Sequence, residues 1–484
     1  MIKYYLIGDT MKKLSELYGE YPGILINDIK INSKEVEKND LFVCTKGITK
    51  DRNDFIDEAI NNGAVAIVTN KKVNVSVPVV YVDNPNKELA DLCSKFYDYP
   101  EKQLDIIGIT GTNGKTTVAE IINDLLGDEC GYLGTNGIKS KVFDEKIRNT
   151  TPDADRLFKY FDKFVKAGCK YVSMEASSEA FLHHRLNKIM FKIGIITNIT
   201  EDHLNVHKTI DNYVKCKQRI IKHIKKDGVL ILNTDDKYYE DTRKKANCRV
   251  LTYGKHNSDL EIVKINKSID KTDITFKYQD NLYNIISPLL GEYNVYNLCA
   301  AILALIYLNK PIDEIINNIN RIKIPKGRME FLHYQKDYNV IIDYAHTPDA
   351  FKKIYDFLNK VKVGKIITVT GSAGGREHEK RRYMGKIVLD NSDYVIFTMD
   401  DPRFEDVNSI IDDLVSDSDK TNYERIIDRK EAIKKALDMA SKDDIVLIAG
   451  KGDDNYMAIG DEYLPYKDED VVISYFQTKF HNEL

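Results

Sequence analysis

Residues Gly108-Ile109-Thr110-Gly111-Thr112-Asn113-Gly114-Lys115-Thr116-Thr117 form a glycine-rich run that closes on Lys-Thr-Thr. The segment Leu104-Asp105-Ile106-Ile107-Gly108-Ile109 leading into it reads as a buried strand. Behind it, Val118, Ile121, Ile122, Leu125 and Leu126 recur at helical spacing. The run therefore joins a strand to a helix N-terminus. Such a turn wraps a polyphosphate in backbone N–H groups, while the lysine reaches the terminal phosphates and a threonine hydroxyl can ligate Mg²⁺. The strict G-x-x-x-x-G-K-[ST] spacing is not met, because Ile109 stands where its first glycine belongs. The strand and helix on either side carry the reading.

Outward from the loop, 484 residues are too many for one ordinary core and suggest about three domains. The first, 1–100, is expected to be a compact α/β unit with strands at Asp40–Cys44, Ala64–Val68 and Val77–Val82. Helical spacing covers Asp54–Asn62 and Lys87–Tyr97, and Tyr99-Pro100 breaks the pattern. The second, 101–328, alternates helices with strand-like Tyr171–Met174, Gly194–Thr197 and Gly228–Leu232, which predicts a mostly parallel sheet. Period-two patterning over Leu260–Ile286 predicts an appended antiparallel patch. The third, 329–484, restarts the series at Val340–Asp343, Lys365–Val369, Tyr394–Thr398 and Asp444–Ala449, each followed by a polar or glycine-bearing loop where α/β sheets bind ligands.

Composition narrows the class. With 71 basic and 75 acidic residues there is no electrostatic reason to expect nucleic acid or an anionic membrane as partner. The start Met1-Ile2-Lys3-Tyr4-Tyr5-Leu6 lacks a signal-peptide core, and no run approaches a spanning helix. The seven cysteines show no paired spacing, and read as reduced core thiols of a cytoplasmic protein.

Two further strand ends carry chemistry: Met174-Glu175-Ala176-Ser177-Ser178, followed by His183-His184-Arg185, and Thr197-Asn198-Ile199-Thr200-Glu201-Asp202-His203-Leu204, with Lys217 beyond it. Singly, each is ordinary: a lone glutamate is usually a surface acid and a lone histidine a loop residue. Together at one sheet edge, carboxylate, imidazole and hydroxyl can hold Mg²⁺ beside phosphates.

With Gly111–Thr117, these stretches and Asp343-Tyr344-Ala345-His346 closely resemble the Mur ligase family, whose members build the peptide stem of bacterial cell-wall precursors, and they do so in the expected order along nearly the whole chain. Asn32-Ser33-Lys34…Asp40-Leu41-Phe42-Val43 and Arg328-Met329-Glu330 are similar to the branch that adds the third stem residue. The resemblance implies three α/β domains: a UDP-binding unit, a central P-loop-type mostly parallel sheet that binds ATP, and a Rossmann-like C-terminal unit for the amino acid. It implies ATP-dependent amide formation through an acyl phosphate on UDP-N-acetylmuramoyl-L-Ala-D-Glu, by a cytoplasmic enzyme expected to be a monomer.

Residue roles follow from the same resemblance. Lys115 neutralises the β/γ-phosphates, Thr116 and Glu175 hold one Mg²⁺, and His203 with Glu175 contributes to a second. Lys217 matches the lysine that the family carbamylates with CO₂, giving N6-carboxylysine as an oxygen ligand. Gly111, Thr112, Asn113, Gly114 and Thr117 cradle phosphate, Asn294 and Asn297 match positions near adenine, and Arg328 and Asp343 match positions near phosphate and ribose. Ser33 fits the uridine-diphosphate end of the other substrate; Thr150, Thr151, Ser177, His183 and Arg185 fit its sugar-peptide end. His183 stands where many relatives carry Gln, and Asn32 and Lys34 replace the usual Asp and Arg around Ser33.

The added amino acid is read from Asp400-Asp401-Pro402-Arg403, which resembles the Asp-Asn-Pro-Arg of relatives that add meso-diaminopimelate. An arginine fork suits that substrate's second carboxylate, and Arg381 matches another arginine of the site. Asp401 in place of Asn, and Gly450-Lys451-Gly452-Asp453-Asp454 in place of Gly-Lys-Gly-His-Glu, pull toward L-lysine by adding negative charge. Asp454 keeps the acidic position, and Arg403 tips the expectation to meso-diaminopimelate. The competing readings are another ligase on this scaffold, such as one that adds glutamate to folate, and a nucleotide-binding scaffold without catalysis.

Overall fold

The computed structural model describes residues 11–47, 50–267, 271–323, 326–332 and 337–482. Among the described residues, twenty-five strands follow in chain order. A two-residue ribbon, β1 (Lys12–Lys13) and β2 (Leu25–Ile26), precedes β3 (Ile29–Lys30), β4 (Asp40–Val43), β5 (Ala64–Thr69) and β6 (Val79–Tyr81). These last four make a parallel sheet in the order β3-β4-β5-β6. The helix expected over Asp54–Asn62 opens one turn earlier, as a 3₁₀ turn Arg52–Phe55 capped by the Asp51 side chain, and continues as Ile56–Asn61.

The central sheet contains β7 (Asp105–Thr110), β8 (Cys130–Gly134), β9 (Gly137–Lys139), β10 (Asp144–Glu145), β11 (Tyr171–Glu175), β12 (Phe191–Ile196), β13 (Ile224–Asn233), β14 (Arg249–Gly254), β15 (Leu260–Lys267), β16 (Thr272–Tyr278) and β17 (Asn281–Ser287). Their order is β10-β9-β8-β11-β7-β12-β13-β14-β15-β16-β17. The run from β8 to β15 is parallel, and β15-β16-β17 is the antiparallel patch that the period-two pattern predicts. The phosphate-loop strand β7 sits between β11 and β12, so three chemistry-bearing strand ends emerge side by side.

Continuous apolar runs mark these strands because helices cover both faces. Ile107, Ile109, Ile193, Ile195, Val229 and Ile231 face one core with Val118, Ile122, Leu298 and Ile302, from helices Lys115–Leu126 and Glu292–Tyr307. Their neighbours Ile106, Val172, Met174 and Leu230 face the other core, with Phe158 and Phe161 of helix Ala154–Lys166. That second core also takes in Leu41, Leu89 and Phe96, so apolar packing runs straight through the break expected near residue 100.

The third sheet contains β18 (Glu330–Leu332), β19 (Asn339–Asp343), β20 (Ile366–Thr370), β21 (Tyr394–Phe397), β22 (Tyr423–Arg425) and β23 (Ile445–Ala449), in the order β18-β19-β23-β20-β21-β22. Only β18 runs antiparallel. A hairpin of β24 (Tyr456–Ile459) and β25 (Glu462–Pro465) stands beside its strand ends. All seven cysteines are free and none is exposed. No helix among the described residues is long and apolar enough to cross a membrane.

Candidate active site

The loop after β7 owes its path to two glycines. Gly111 has φ 152°, and a Cβ there would lie 1.9 Å from Thr197 Oγ1; Gly114 has φ 87°, and a Cβ there would lie 2.2 Å from Asn297 Oδ1. The loop peptide is pinned from the neighbouring strand end. Asn113 C=O accepts from Thr197 Oγ1 (2.6 Å) and Asn198 Nδ2 (3.0 Å), while Asn198 Oδ1 accepts from Asn113 N–H (3.1 Å). The first-turn amides of helix Lys115–Leu126, which have no intrahelical acceptor, open onto this loop. Thr116 and Thr117 are buried in that turn. The Thr112 hydroxyl is engaged internally, donating to Thr200 C=O (3.0 Å) and accepting from Thr200 N–H (2.9 Å).

Two lysines converge on one carbonyl. Lys115 Nζ donates to Gly111 C=O and Thr112 C=O, both at 3.0 Å, and Lys217 Nζ donates to the same Gly111 oxygen at 2.7 Å. Burial lowers both pKa values, and the neighbouring Lys115 charge adds to the effect on Lys217, which falls well below the ordinary ammonium range. Lys217 also lies 4.5 Å from the Tyr213 ring centroid.

Glu175, at the end of β11, is buried, and its Oε1 accepts from Thr135 N–H (2.8 Å) and Tyr132 OH (3.1 Å). Thr151 Oγ1 donates to Glu175 C=O (2.7 Å) and accepts from Ser177 N–H (3.1 Å). Thr150 Oγ1 meets Thr135 Oγ1 at 3.0 Å, and Arg185 Nη1 donates to Thr151 C=O at 3.0 Å. These contacts gather Thr150, Thr151, Ser177 and Arg185 around the Glu175 strand end. His203 has a left-handed backbone (φ 54°), and burial lowers its imidazole pKa to about 4. A carboxylate, an imidazole and a hydroxyl beside a phosphate loop suit a hard cation, which takes one or two protein ligands and fills its sphere from phosphate and water. The tightest His/carboxylate cluster among the described residues lies elsewhere: His378, Glu405 and Asp413. Arg381 is lodged against its two carboxylates, so it already has its counter-charge.

Two cavities adjoin the central sheet. One, of about 730 Å³, lies between the N-terminal and central sheets and is lined by Ser33, His183 and Arg185 together with cations including Arg52, Lys146 and Arg148. His183 Nε2 is buried without a partner, while Ser33 Oγ donates to Glu58. The cationic loop residues of this cavity escaped sequence reading because they are scattered and each resembles a solvated surface charge.

The second cavity, of about 820 Å³, opens between the central and C-terminal sheets and is lined by Asn113, Gly114 and Asn297. Asn294 stands behind Asn297, accepting from its Nδ2 at 3.0 Å. Asp235, Asp236, Tyr296, Lys353 and Phe357 also line it and have no motif to announce them. Arg328 and Asp343 are not among its lining residues. Both Asp343 oxygens accept backbone N–H groups, from Met329 and Ala345 at 2.7 Å, and Arg328 stacks 4.7 Å from the Tyr344 ring centroid. They brace the crossing between the two sheets.

At the C-terminal strand ends, Asp400, Asp401, Gly450 and Asp454 gather around fully buried Lys451, whose Nζ is 2.7 Å from Asp401, 3.6 Å from Asp454 and 4.0 Å from Asp400. Burial raises the Asp454 carboxyl to about 6. Gly450 (φ 116°) is required here, since a Cβ would lie 2.2 Å from Asp400 Oδ2. Arg403 is exposed. Arg381 is not in this group: its guanidinium is buried, bonding Asp413 Oδ2 (2.9 Å), Glu405 and Ala373 C=O (2.9 Å). Partners on another loop and helix balance its charge, though its Nε is buried without a hydrogen-bond partner; its own neighbourhood in the sequence does not reveal them.

Three family models match this chain: Mur ligase family, catalytic domain, over 25–101; Mur ligase middle domain over 109–305; and Mur ligase, glutamate ligase domain, over 327–452. The chain is 38% identical over 469 residues to UDP-N-acetylmuramoyl-L-alanyl-D-glutamate–2,6-diaminopimelate ligase 2 of Clostridium acetobutylicum, covering 93% of this chain and 95% of that one. It is 36% identical over 470 residues to the ligase of the corresponding name from Bacillus cereus, covering 95% of each. A solved UDP-N-acetylmuramoyl-L-alanyl-D-glutamate–2,6-diaminopimelate ligase superposes with a TM-score of 0.67 at 28% identity, covering 97% of this chain and 100% of that chain. MurF ligase from Thermotoga maritima in complex with ADP shares the fold at a TM-score of 0.69 and 21% identity, covering 94% and 98%.

Proposed function

The chain belongs to the Mur ligase family, and from that premise we infer that it joins 2,6-diaminopimelate to UDP-N-acetylmuramoyl-L-alanyl-D-glutamate in peptidoglycan precursor synthesis. It is an ATP-dependent ligase. A carboxylate does not condense with an amine at neutral pH, because it is anionic and lacks a leaving group. In the proposed reaction a substrate carboxylate oxygen attacks the ATP γ-phosphorus and ADP leaves. The amine then attacks the acyl phosphate, and the tetrahedral intermediate expels phosphate as the amine loses its proton. The protein supplies position and charge neutralisation.

The observation that carries this reading is the convergence of Lys115 and Lys217 on the Gly111 carbonyl, in the same loop whose Asn113 and Gly114 line a cavity with Asn297. We assign Lys115 and the loop residues Gly111–Thr117 to the phosphates of ATP, and the cavity with Asn297, backed by Asn294, to its nucleoside. Thr116 with Glu175 would hold one Mg²⁺ and His203 with Glu175 would contribute to a second, drawing charge from the phosphoryl oxygens. Lys217, a buried amine whose pKa burial holds well below the ordinary ammonium range, suits attack on CO₂ through its deprotonated form; loss of a further proton then leaves a carbamate in place of a cation. The N-terminal unit, about 1–100, with Ser33, is assigned the UDP end of the other substrate. Thr150, Thr151, Ser177, His183 and Arg185 of the central unit, 101–328, take its sugar-peptide end. The unit 329–484 takes the amino acid. Arg328 and Asp343 act in this scheme by fixing the crossing between domains, and Arg381 by fixing the loop that carries Glu405. We further propose that the enzyme works in the cytoplasm as a monomer.

For the amino acid, meso-diaminopimelate is favoured over L-lysine because exposed Arg403 offers a fork for a second carboxylate. The deciding experiment follows phosphate release and product mass with UDP-N-acetylmuramoyl-L-Ala-D-Glu, Mg-ATP and either amino acid. Turnover with diaminopimelate is expected. Turnover with lysine only would overturn the specificity, and ATP binding without turnover would favour a scaffold.

A further inference from the structure

Asp401 is where this chain adds a charge beside the arginine of its amino-acid site. Its carboxylate is committed inside the protein. Oδ1 accepts from buried Lys451 Nζ (2.7 Å) and from Ala458 N–H (2.8 Å) in β24. The Asp401 N–H points the same way, meeting Met457 Sδ at 3.3 Å. The β24–β25 hairpin in turn holds Arg403 by its backbone: Arg403 N–H donates to Ala458 C=O (3.0 Å), and Gly460 N–H donates to Arg403 C=O (2.7 Å). Asp401 and Arg403 both adopt left-handed backbones, φ 46° and 52°, which L side chains tolerate only when their surroundings enforce them.

Accepting the ligase reading above, we infer that Asp401 is a positioning residue: it ties Lys451 and the β24–β25 hairpin together and so holds Arg403 ready for the far-end carboxylate of the incoming amino acid. Its carboxylate is paired with Lys451 at 2.7 Å and turned into the protein, away from a role as free counter-ion for the lone ammonium of lysine. Asp454, farther from Lys451, is left as the acid that faces a substrate ammonium. The extra acid at this position is therefore compatible with diaminopimelate specificity.

The test compares Asp401→Asn, whose Oδ1 accepts the same two bonds, with Asp401→Ala, which loses both. Amide exchange over 456–465 is measured without substrate, alongside kcat and KM for diaminopimelate and lysine. In Asp401→Ala the hairpin amides should exchange at least about tenfold faster, and KM for diaminopimelate should rise about tenfold with kcat within about twofold. Asp401→Asn should restore both quantities to near wild type. Should Asp401→Ala not fold, Asp401→Ser, too short to reach both donors, takes its place. Unchanged exchange in the Ala or Ser variant would overturn the inference. So would a tenfold shift in diaminopimelate-to-lysine preference in Asp401→Asn, which would mean that Asp401 touches the substrate. Absence of wild-type turnover would sink the ligase reading alone, since the exchange result scores the hairpin independently.

Discussion

Gly114 combines two demands in the phosphate loop: its φ of 87° disfavours any side chain, and a Cβ would lie 2.2 Å from Asn297 Oδ1. Gly114→Ala should cost about 1–3 kcal/mol in denaturant unfolding and raise KM for ATP at least about tenfold. Adding Asn297→Ala removes the clashing atom, so the double variant should regain part of the stability; no regain would mean that strain, not the clash, dominates. The loop was legible because glycine, lysine and threonine have to stand in one local order there. Asp454 shows the opposite case: its acidity was visible, but the burial that raises its carboxyl to about 6 was not. As pH falls through about 6, Asp454 takes up a proton and its attraction for the substrate ammonium is lost. KM for the amino acid should therefore rise below that pH, and the Asp454→Asn variant should show no such limb. His203, with a pKa of about 4, stays neutral across that window and contributes nothing to the rise.

Among elements, helix Pro348–Val361 shows how local signals place distant chemistry. Pro348 occupies its first turn, and Thr347 accepts from Ala350 N–H (3.2 Å) as N-cap. The same first turn presents Asp349, whose Oδ2 accepts from Asn113 Nδ2 on the phosphate loop (2.9 Å). Thr347→Ala should cost about 1 kcal/mol of stability by calorimetry. It should also raise KM for ATP more than KM for the amino acid, because the frayed turn carries Asp349; equal effects on both would sink this link. Strands of the parallel sheets were readable from continuous apolar runs such as Ile106–Ile109 and Val446–Ile448, and β15–β17 from strict alternation. Pairing order was not, since β23 inserts between β19 and β20 through contacts no local pattern encodes. The same holds for Arg381: it lies on helix His378–Asn391, and only the fold brings Glu405 and Asp413 to it.

Across the whole molecule, the polar ties that join the C-terminal unit to the central one include Asp349 to Asn113, Asp453 to Lys146 (2.8 Å) and Lys380 to Asp202 (2.7 Å). The last lies deepest, with the Asp202 side chain 8% exposed and next to His203 in sequence. Burial works against ionisation of Asp202, yet the neighbouring His203 and Lys380 hold its carboxyl well below the ordinary range. Removing the lysine would leave a buried carboxylate uncompensated, at a cost of several kcal/mol if the domains stayed closed. The protein has a cheaper response, which is to open and return Asp202 to water. The cost of Lys380→Met should therefore appear mainly in domain geometry rather than in unfolding. Small-angle scattering should report a larger radius of gyration than wild type, and KM for ATP should rise about tenfold while the melting temperature moves little. If scattering is unchanged and the melting temperature falls instead, the tie is internal packing and the two units do not open about it. A closed arrangement shields an acyl phosphate from water, so the opened variant should also release phosphate from ATP in excess of amide product, a ratio near one in the wild type.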